Sequence, residues 1–294
     1  MICNGIDIRD SIASGHARAA TRLILTADTM RWAQAAALGL APCATAPVGS
    51  TLAGGLEGEV PAAETPDGRP GVSVLLFALS LAGLKAMVPI RVGWGLLRVP
   101  TVACYAGLTG GAPIPLGRTL RTLGKGYQIA KRVGADRVWR MPVLDGEFVC
   151  DDITGSAPEA VGGGHFLILA RSRAAALTAA EHALDAMSGL AGVIGQVQRA
   201  PGGLIPTDLR PEIFPRAAYC PTLRAYGGTA LSPEVGAVLE VAVAGLSAAG
   251  VTAGLRAGLE AVCALGAEAG IVALDAVADA TPSRFSFHLR ELLA

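Results

Sequence analysis

One carboxylate stands inside the apolar run Val238-Leu239-Glu240-Val241-Ala242-Val243, among residues that favour the pleated interior of a sheet. Period-two alternation puts Val238, Glu240 and Ala242 on one face of such a strand and Leu239, Val241 and Val243 on the other. A carboxyl withdrawn from water costs free energy unless it is paired or neutral, so burial there favours the protonated acid. A neutral carboxylic acid can donate a hydrogen bond to a developing oxyanion, or hand its proton to a departing amine. An edge-strand glutamate turned to solvent, or one paired with an arginine, has the same local pattern.

A second stretch, Glu64-Thr65-Pro66-Asp67-Gly68-Arg69-Pro70-Gly71-Val72, joins charge to tight-turn chemistry. Pro66 pre-sets a turn, Asp67 bonds backbone amides and Gly68 accepts positive φ. Val72, Val74, Leu75, Leu76 and Phe77 then read as a buried strand, so Glu64, Asp67 and Arg69 sit at a strand's entrance. On spacing alone a merely structural turn gives the same pattern. His16, His165 and His182 show no triad or metal spacing and are assigned no chemistry.

The elements that must position these groups follow from periodicity. Arg22 to Ala27 reads as a strand and Asp28 as an N-cap before helically spaced Met30, Trp32, Ala33, Ala36 and Ala37. Leu79 to about Val92 reads as a broken helix and Thr101 to Tyr105 as a strand. Leu144-Asp145-Gly146 joins the runs Val138 to Val143 and Glu147 to Asp151 as a hairpin. In the second half, Phe166 to Leu169, the Ala-rich run Ala174 to Met187, and Gly192 to Ile194 give strand, helix, strand. Ala237 to Ala244, Val251 to Leu265 and Gly270 to Val277 repeat that order, and Phe285 to Leu289 gives a last strand. The fold class expected is α+β, with two tightly packed ferredoxin-like sandwich lobes and largely antiparallel sheets. The lobes are placed at 1–155 and 156–294, with the last strand free to return to the first lobe.

Composition sets the outer limits. A chain of 294 residues exceeds the usual single-domain size, and 52% apolar residues can fill two cores. Lys plus Arg and Asp plus Glu balance at 24 each, so no global field steers the protein to nucleic acid or an anionic membrane. Val72 to Leu84 carries no charge but is short of the roughly 20 residues that span a bilayer. The first ten residues, with Asp7, Arg9 and Asp10, lack the basic start and apolar core of a secretory leader. The six cysteines are scattered without a Cys-x-x-Cys pair, which argues against a zinc site and a disulfide framework and for reduced thiols in the cytoplasm. Gly162-Gly163-Gly164 precedes its strand, and Gly124-Lys125-Gly126 lacks P-loop spacing, so a nucleotide site is not expected.

The wording of the motifs carries more than their spacing. Glu64 to Val72 strongly resembles a segment of the formylmethanofuran:tetrahydromethanopterin formyltransferases, enzymes of one-carbon metabolism. Val238 to Gly245 resembles that family's Val-Tyr-Glu-Ile-Val-Ile-x-Gly motif, whose catalytic glutamate falls on Glu240; Leu239 departs from the tyrosine. Asn4-Gly5-Ile6, Arg22 to Ala27, Val138 to Val143 with Gly146-Glu147-Phe148, Pro201-Gly202-Gly203, Tyr219-Cys220-Pro221-Thr222 and His288-Leu289 match further pieces, in order, along nearly the whole chain.

The resemblance implies a cytoplasmic formyltransferase moving a formyl group between tetrahydromethanopterin and methanofuran or a bacterial analogue, in the direction of formaldehyde oxidation. It implies no tightly bound cofactor and no metal, the two C1 carriers being substrates. Glu240 would be catalytic. Glu64, Asp67 and Arg69 would contact substrate, as would the backbone at Gly202 and Gly203 and the ring of Tyr219. The apolar stretch Leu79 to Leu97 and the Gly- and Pro-rich stretch Ala106 to Gly117 suit the bacterial subunit of a formyltransferase/hydrolase complex. The expected partners are therefore hydrolase subunits, further copies of the chain, or both, with no nucleic acid and no membrane. A non-catalytic, pterin-binding or scaffold subunit is the alternative.

Overall fold

The computed structural model describes residues 1–40, 52–133, 136–198, 218–226, 229, 231–277 and 283–294. The chain forms two compact units: Arg18–Ala160, and Met1–Ala17 together with Val161–Ala294. β1 (Ile2–Cys3), β2 (Ile6–Ile8) and β3 (Ile12–Thr26) open the chain, and β3 runs from the second of these units into the first.

The Arg18–Ala160 unit continues with α1 (Met30–Leu40), β4 (Leu52–Val60), β5 (Gly71–Ala78), α2 (Leu81–Leu96) and β6 (Ala103–Ala106). β5 pairs antiparallel with β4 and β3, and β3 with β6, so the order is β4-β5-β3-β6. That is a βαββαβ sandwich, with the second strand of each half inserted beside the first of the other. Its core packs Leu23, Leu25, Val72, Val74 and Leu76 of one sheet face against Ala33, Ala37, Leu84 and Val88 of the helices. The helix expected to break does not: α2 continues through Pro89, whose ring is buried. β7 (Ile114–Pro115), α3 (Gly117–Leu120), β8 (Ile129–Val133), β9 (Asp136–Val143), β10 (Gly146–Asp151) and β11 (Ile153–Thr154) follow. β9 and β10 form the expected hairpin across Leu144 and Asp145, and β10 lies parallel to β6.

β12 (Ala157–Ala170) leads into the other unit, built of α4 (Arg173–Met187), β13 (Val193–Gln198), β14 (Ala237–Gly245), α5 (Ala248–Leu265) and β15 (Ile271–Asp275), with β16 (Phe285–His288) and α6 (Leu289–Leu292). β14 pairs antiparallel with β12 and β13, and β12 with β15, giving β13-β14-β12-β15, the same sandwich again. β16 adds to the first residues of β3, Ile12 to Gly15. Serine does the capping on leaving a strand: Ser80, Ser172 and Ser247 each accept the backbone N–H three residues on at 3.1 Å, starting α2, α4 and α5. α5 is long and apolar enough to cross a membrane, yet Val251, Leu255, Leu259 and Val262 are core residues against Phe166, Val241 and Val243.

Candidate functional site

Alternation decides what each sheet face carries. In the unit containing β14, Phe166, Ile168, Val241 and Val243 point to the core beneath α4 and α5. The other face carries His165, Leu167 and Leu169 from β12, Val238 and Glu240 from β14, and Ala273 and Asp275 from β15. Leu231, Val235 and Val277 pack on that face with the half-buried ring of Tyr219.

Glu240 is 1% exposed. It lies opposite Leu167, which is in turn opposite Asp275, so the two carboxylate-bearing residues are two strand spacings apart, about 10 Å. The His165 ring is also buried, with Nδ1 4.0 Å from Glu240 Oε1. Nδ1 is 2.6 Å from the Gly163 carbonyl oxygen and Nε2 is 2.8 Å from that of Val277. Gly163 has φ +99°, within the register shift of β12 against β14 between Val161 and Gly164; this conformation, costly for a side-chain-bearing residue, places its carbonyl at the ring.

Asp275, 3% exposed, closes a second cluster on this face. Its Oδ2 accepts from Arg9 NH1 at 2.7 Å and from the Tyr219 hydroxyl at 2.7 Å, and its Oδ1 accepts from the Ala276 amide at 2.8 Å. Burial, and then the bond to Asp275, push the Tyr219 hydroxyl up to about 12. Tyr219 is thus fixed at both ends, its ring by apolar packing and its hydroxyl by a buried carboxylate.

In the Arg18–Ala160 unit the expected turn forms, with Gly68 at φ +71°. Asp67 accepts from the Thr26 hydroxyl at 2.8 Å, from Arg69 Nε at 2.8 Å and from the Tyr105 hydroxyl at 3.1 Å. Burial pushes its carboxyl up, but the hydrogen bonds from Thr26 and Arg69 and the charge of Arg69 outweigh it, and the carboxyl is held below its ordinary range. Arg69 NH1 reaches Asp28 Oδ1 at 2.9 Å and the Thr101 carbonyl at 2.6 Å. Asp28 is not the N-cap that its position before the helix suggests; the helix begins at Met30, and the carboxylate serves Arg69 instead. Glu64 is exposed, and its carboxylate meets no partner among the described residues. Arg22 is bound bidentately by Glu57, at 2.7 and 2.5 Å, beside Ser73.

Of the residues singled out from sequence, Glu240 and Tyr219 lie on one sheet face of one unit, and Glu64, Asp67 and Arg69 lie on one turn of the other. Gly202 and Gly203 lie outside the described residues. Sequence reasoning assigned no chemistry to His165 and passed over Asp275 and Arg9 as site residues. Asp275 carried a usable signal, since Ile271-Val272-Ala273-Leu274-Asp275 is as apolar a setting as that of Glu240. Among the described residues no group of three or more His, Cys, Asp or Glu could hold a metal ion.

Comparison with known proteins adds a family. The family model described as formylmethanofuran-tetrahydromethanopterin formyltransferase matches residues 1–143, and the model of its proximal lobe matches 146–292. The formylmethanofuran-tetrahydromethanopterin formyltransferase of Methylococcus capsulatus is 43% identical over 302 residues, covering 100% of both chains. One subunit of the formyltransferase/hydrolase complex of Methylorubrum extorquens is 39% identical over 303 residues, covering 99% of this chain and 96% of that one. A chain in the crystal structure of the Methylorubrum extorquens formyltransferase/hydrolase complex with methylofuran superposes with a TM-score of 0.88 at 38% identity, covering 100% of this chain and 99% of that one.

Proposed function

The chain belongs to the formylmethanofuran-tetrahydromethanopterin formyltransferase family, and from that premise we propose that Glu240 moves the proton in a formyl transfer between tetrahydromethanopterin and the primary amine of methanofuran or a related furan. The protein is an N-formyltransferase, and both C1 carriers are its substrates. Attack of the amine nitrogen on the formyl carbon forms one C–N bond, and departure of the pterin nitrogen breaks another. The amine gives up one proton and the pterin nitrogen gains one, so the reaction needs a group that takes a proton on one side and returns it on the other. The observation that carries the reading is Glu240 itself: a buried carboxyl on the sheet face opposite α4 and α5, in a place where water does not compete for the proton.

The Asp67-Gly68-Arg69 turn, with Glu64 beside it, and the Tyr219 ring are the substrate contacts in this proposal, together with the backbone at Gly202 and Gly203. A rigid turn whose arginine is held in place by Asp67, Asp28 and the Thr101 carbonyl suits a polar ligand, and an anchored tyrosine suits a flat ring. The direction proposed is from formyl pterin to furan amine, as in formaldehyde oxidation, in the cytoplasm. Hydrolase subunits or further copies of the chain are the proposed partners, supported by the likeness to a subunit of a formyltransferase/hydrolase complex.

The test supplies the purified chain with formyl-tetrahydromethanopterin and a furfurylamine-type acceptor and follows the pterin absorbance. Loss of formyl pterin that depends on the acceptor is expected. Absence of turnover, both alone and with hydrolase subunits added, would leave a scaffold role in its place.

A further inference from the structure

We propose that the edge of β8 is a docking surface for an extended, acidic segment of a partner polypeptide, which adds to the sheet as a further strand. The inference goes beyond formyl transfer and does not rest on the role of Glu240. Residues 118–140 hold seven of the chain's 24 lysines and arginines and a single acidic residue, Asp136. In a chain with no net charge this is a concentrated basic surface. Arg118 and Arg140 are matched by Asp152 and Glu147, and Arg121 lies over the Trp139 ring, 5.7 Å from its centroid. Lys131, Arg132 and Arg137 are exposed and form no ion pair among the described residues. The buried carboxylate nearby, Asp152, is already taken by Arg118 and by Trp139 Nε1, each at 2.7 Å.

β8 is the last strand of its sheet, and among the described residues it pairs with β9 alone. Part of its backbone N–H and C=O groups therefore faces outward, which is the template for strand addition. In the β8–β9 register Arg132 stands directly opposite Arg137. Like charges in that position destabilise a sheet, and a carboxylate that reaches both guanidinium groups removes the repulsion. Alternation puts Lys131 on the other face of β8, together with the exposed Ile129.

A strand laid against β8 thus meets positive charge on both of its faces in succession, and an apolar side chain two residues from Lys131. The complementary segment has adjacent acidic residues opposite Lys131 and Arg132 and an apolar residue opposite Ile129. Main-chain hydrogen bonds supply its affinity, and the charge pattern selects it. The same edge of a second copy carries the same sign and is repelled, so the occupant is a different, acidic segment.

The experiment follows the fluorescence anisotropy of a labelled synthetic strand of threonine and valine carrying two adjacent glutamates, titrated with the full chain. Saturable binding is expected, weakened severalfold between about 0.1 M and about 1 M salt, over which the screening length falls from about 10 Å to about 3 Å. Lys131→Gln and Arg132→Gln should each weaken binding severalfold and leave the rate of formyl transfer unchanged. A strand with both glutamates replaced by glutamine should bind about tenfold more weakly, and so should one with a central proline, which lacks the N–H that pairing needs. Equal binding of the glutamine strand overturns the charge pattern, and equal binding of the proline strand overturns strand addition. Binding of pyrophosphate without binding of the acidic strand would make the patch a small-anion site instead. Self-association of the chain that Arg132→Gln abolishes, read by sedimentation, would make it an interface between copies. In the unliganded chain Arg132→Thr relieves the repulsion and should raise the midpoint of the tryptophan emission transition; a lowered midpoint refutes the claim that the opposed arginines call for an anion.

Discussion

Replacing Asp275 by asparagine keeps the shape of a buried side chain while removing its charge and one of its two acceptor oxygens. The carboxylate accepts charge-assisted or strong hydrogen bonds from Arg9 and Tyr219, each at 2.7 Å. A hydrogen bond to a charged group contributes about 1.5–3 kcal/mol, and asparagine has one acceptor oxygen where Asp275 uses two, Oδ2 for Arg9 and Tyr219 and Oδ1 for the Ala276 amide, so at least one bond is lost and those that remain are no longer made to a charge. Arg9 is one-third exposed and regains water, which keeps the loss below the about 3–5 kcal/mol of a fully buried broken pair. A destabilisation of about 2–3 kcal/mol follows, or about 5–10 °C in the melting temperature of a chain of this size. All three tryptophans, Trp32, Trp94 and Trp139, lie in the Arg18–Ala160 unit, so their emission reports that unit alone while far-UV circular dichroism reports both. The circular dichroism transition should therefore shift by at least as much as the tryptophan transition. Tyr219→Phe should cost about 1 kcal/mol alone and much less in the Asp275→Asn background. An unchanged circular dichroism midpoint for Asp275→Asn, or fully additive effects of the two changes, refutes the claim that this cluster holds Tyr219.

Other consequences are narrower. The raised Tyr219 hydroxyl means its contribution to stability is intact below pH 10 and lost as pH rises toward about 12; Tyr219→Phe should flatten that part of an alkaline unfolding profile. The depressed Asp67 carboxyl has the opposite sign: its contribution is full above pH 3.8 and lost as pH falls below that value, and acid unfolding followed by tryptophan emission should lose this step in Asp67→Asn. Arg69→Lys cannot reach Asp67, Asp28 and the Thr101 carbonyl together, so a loss of about 1–2 kcal/mol by tryptophan emission is expected, with KM raised more than kcat is lowered. Gly68→Ala adds a methyl that meets nothing within 4 Å, so only its φ of +71° is penalised and about 1–2 kcal/mol should be lost.

The second half of the fold was legible because its strands and helices differ sharply in composition. An apolar run and an alanine-rich helix recur twice in order, and the structure has the same elements within a few residues. The first half was less so. Periodicity marks no element between the first helix and Glu64, yet β4 lies there, its sequence Leu-Ala-Gly-Gly-Leu-Glu-Gly-Glu-Val rich in glycine and charge. It is a strand because β5 supplies its hydrogen bonds and because Glu57 is taken up by Arg22 and Ser73, partners no local pattern reveals. β3 is readable only from Arg22, since the small residues before it show no alternation. At the site, Glu240 stands out because a charge in an apolar strand breaks a local rule. His165 breaks none. Its setting depends on a carbonyl released by a strand irregularity and on two other segments, those of Glu240 and Val277, that meet it only in the fold.

Steady-state formyl transfer by Glu240→Gln beside the unaltered chain tests the central claim most directly. Glutamine keeps the size of the side chain and a hydrogen-bond donor but cannot carry a proton between two nitrogens. The account predicts an unchanged far-UV circular dichroism spectrum and a kcat lowered at least severalfold, up to on the order of 10²–10⁴-fold if the whole acid–base contribution is lost. A folded Glu240→Gln variant that transfers the formyl group as fast as the unaltered chain would contradict it.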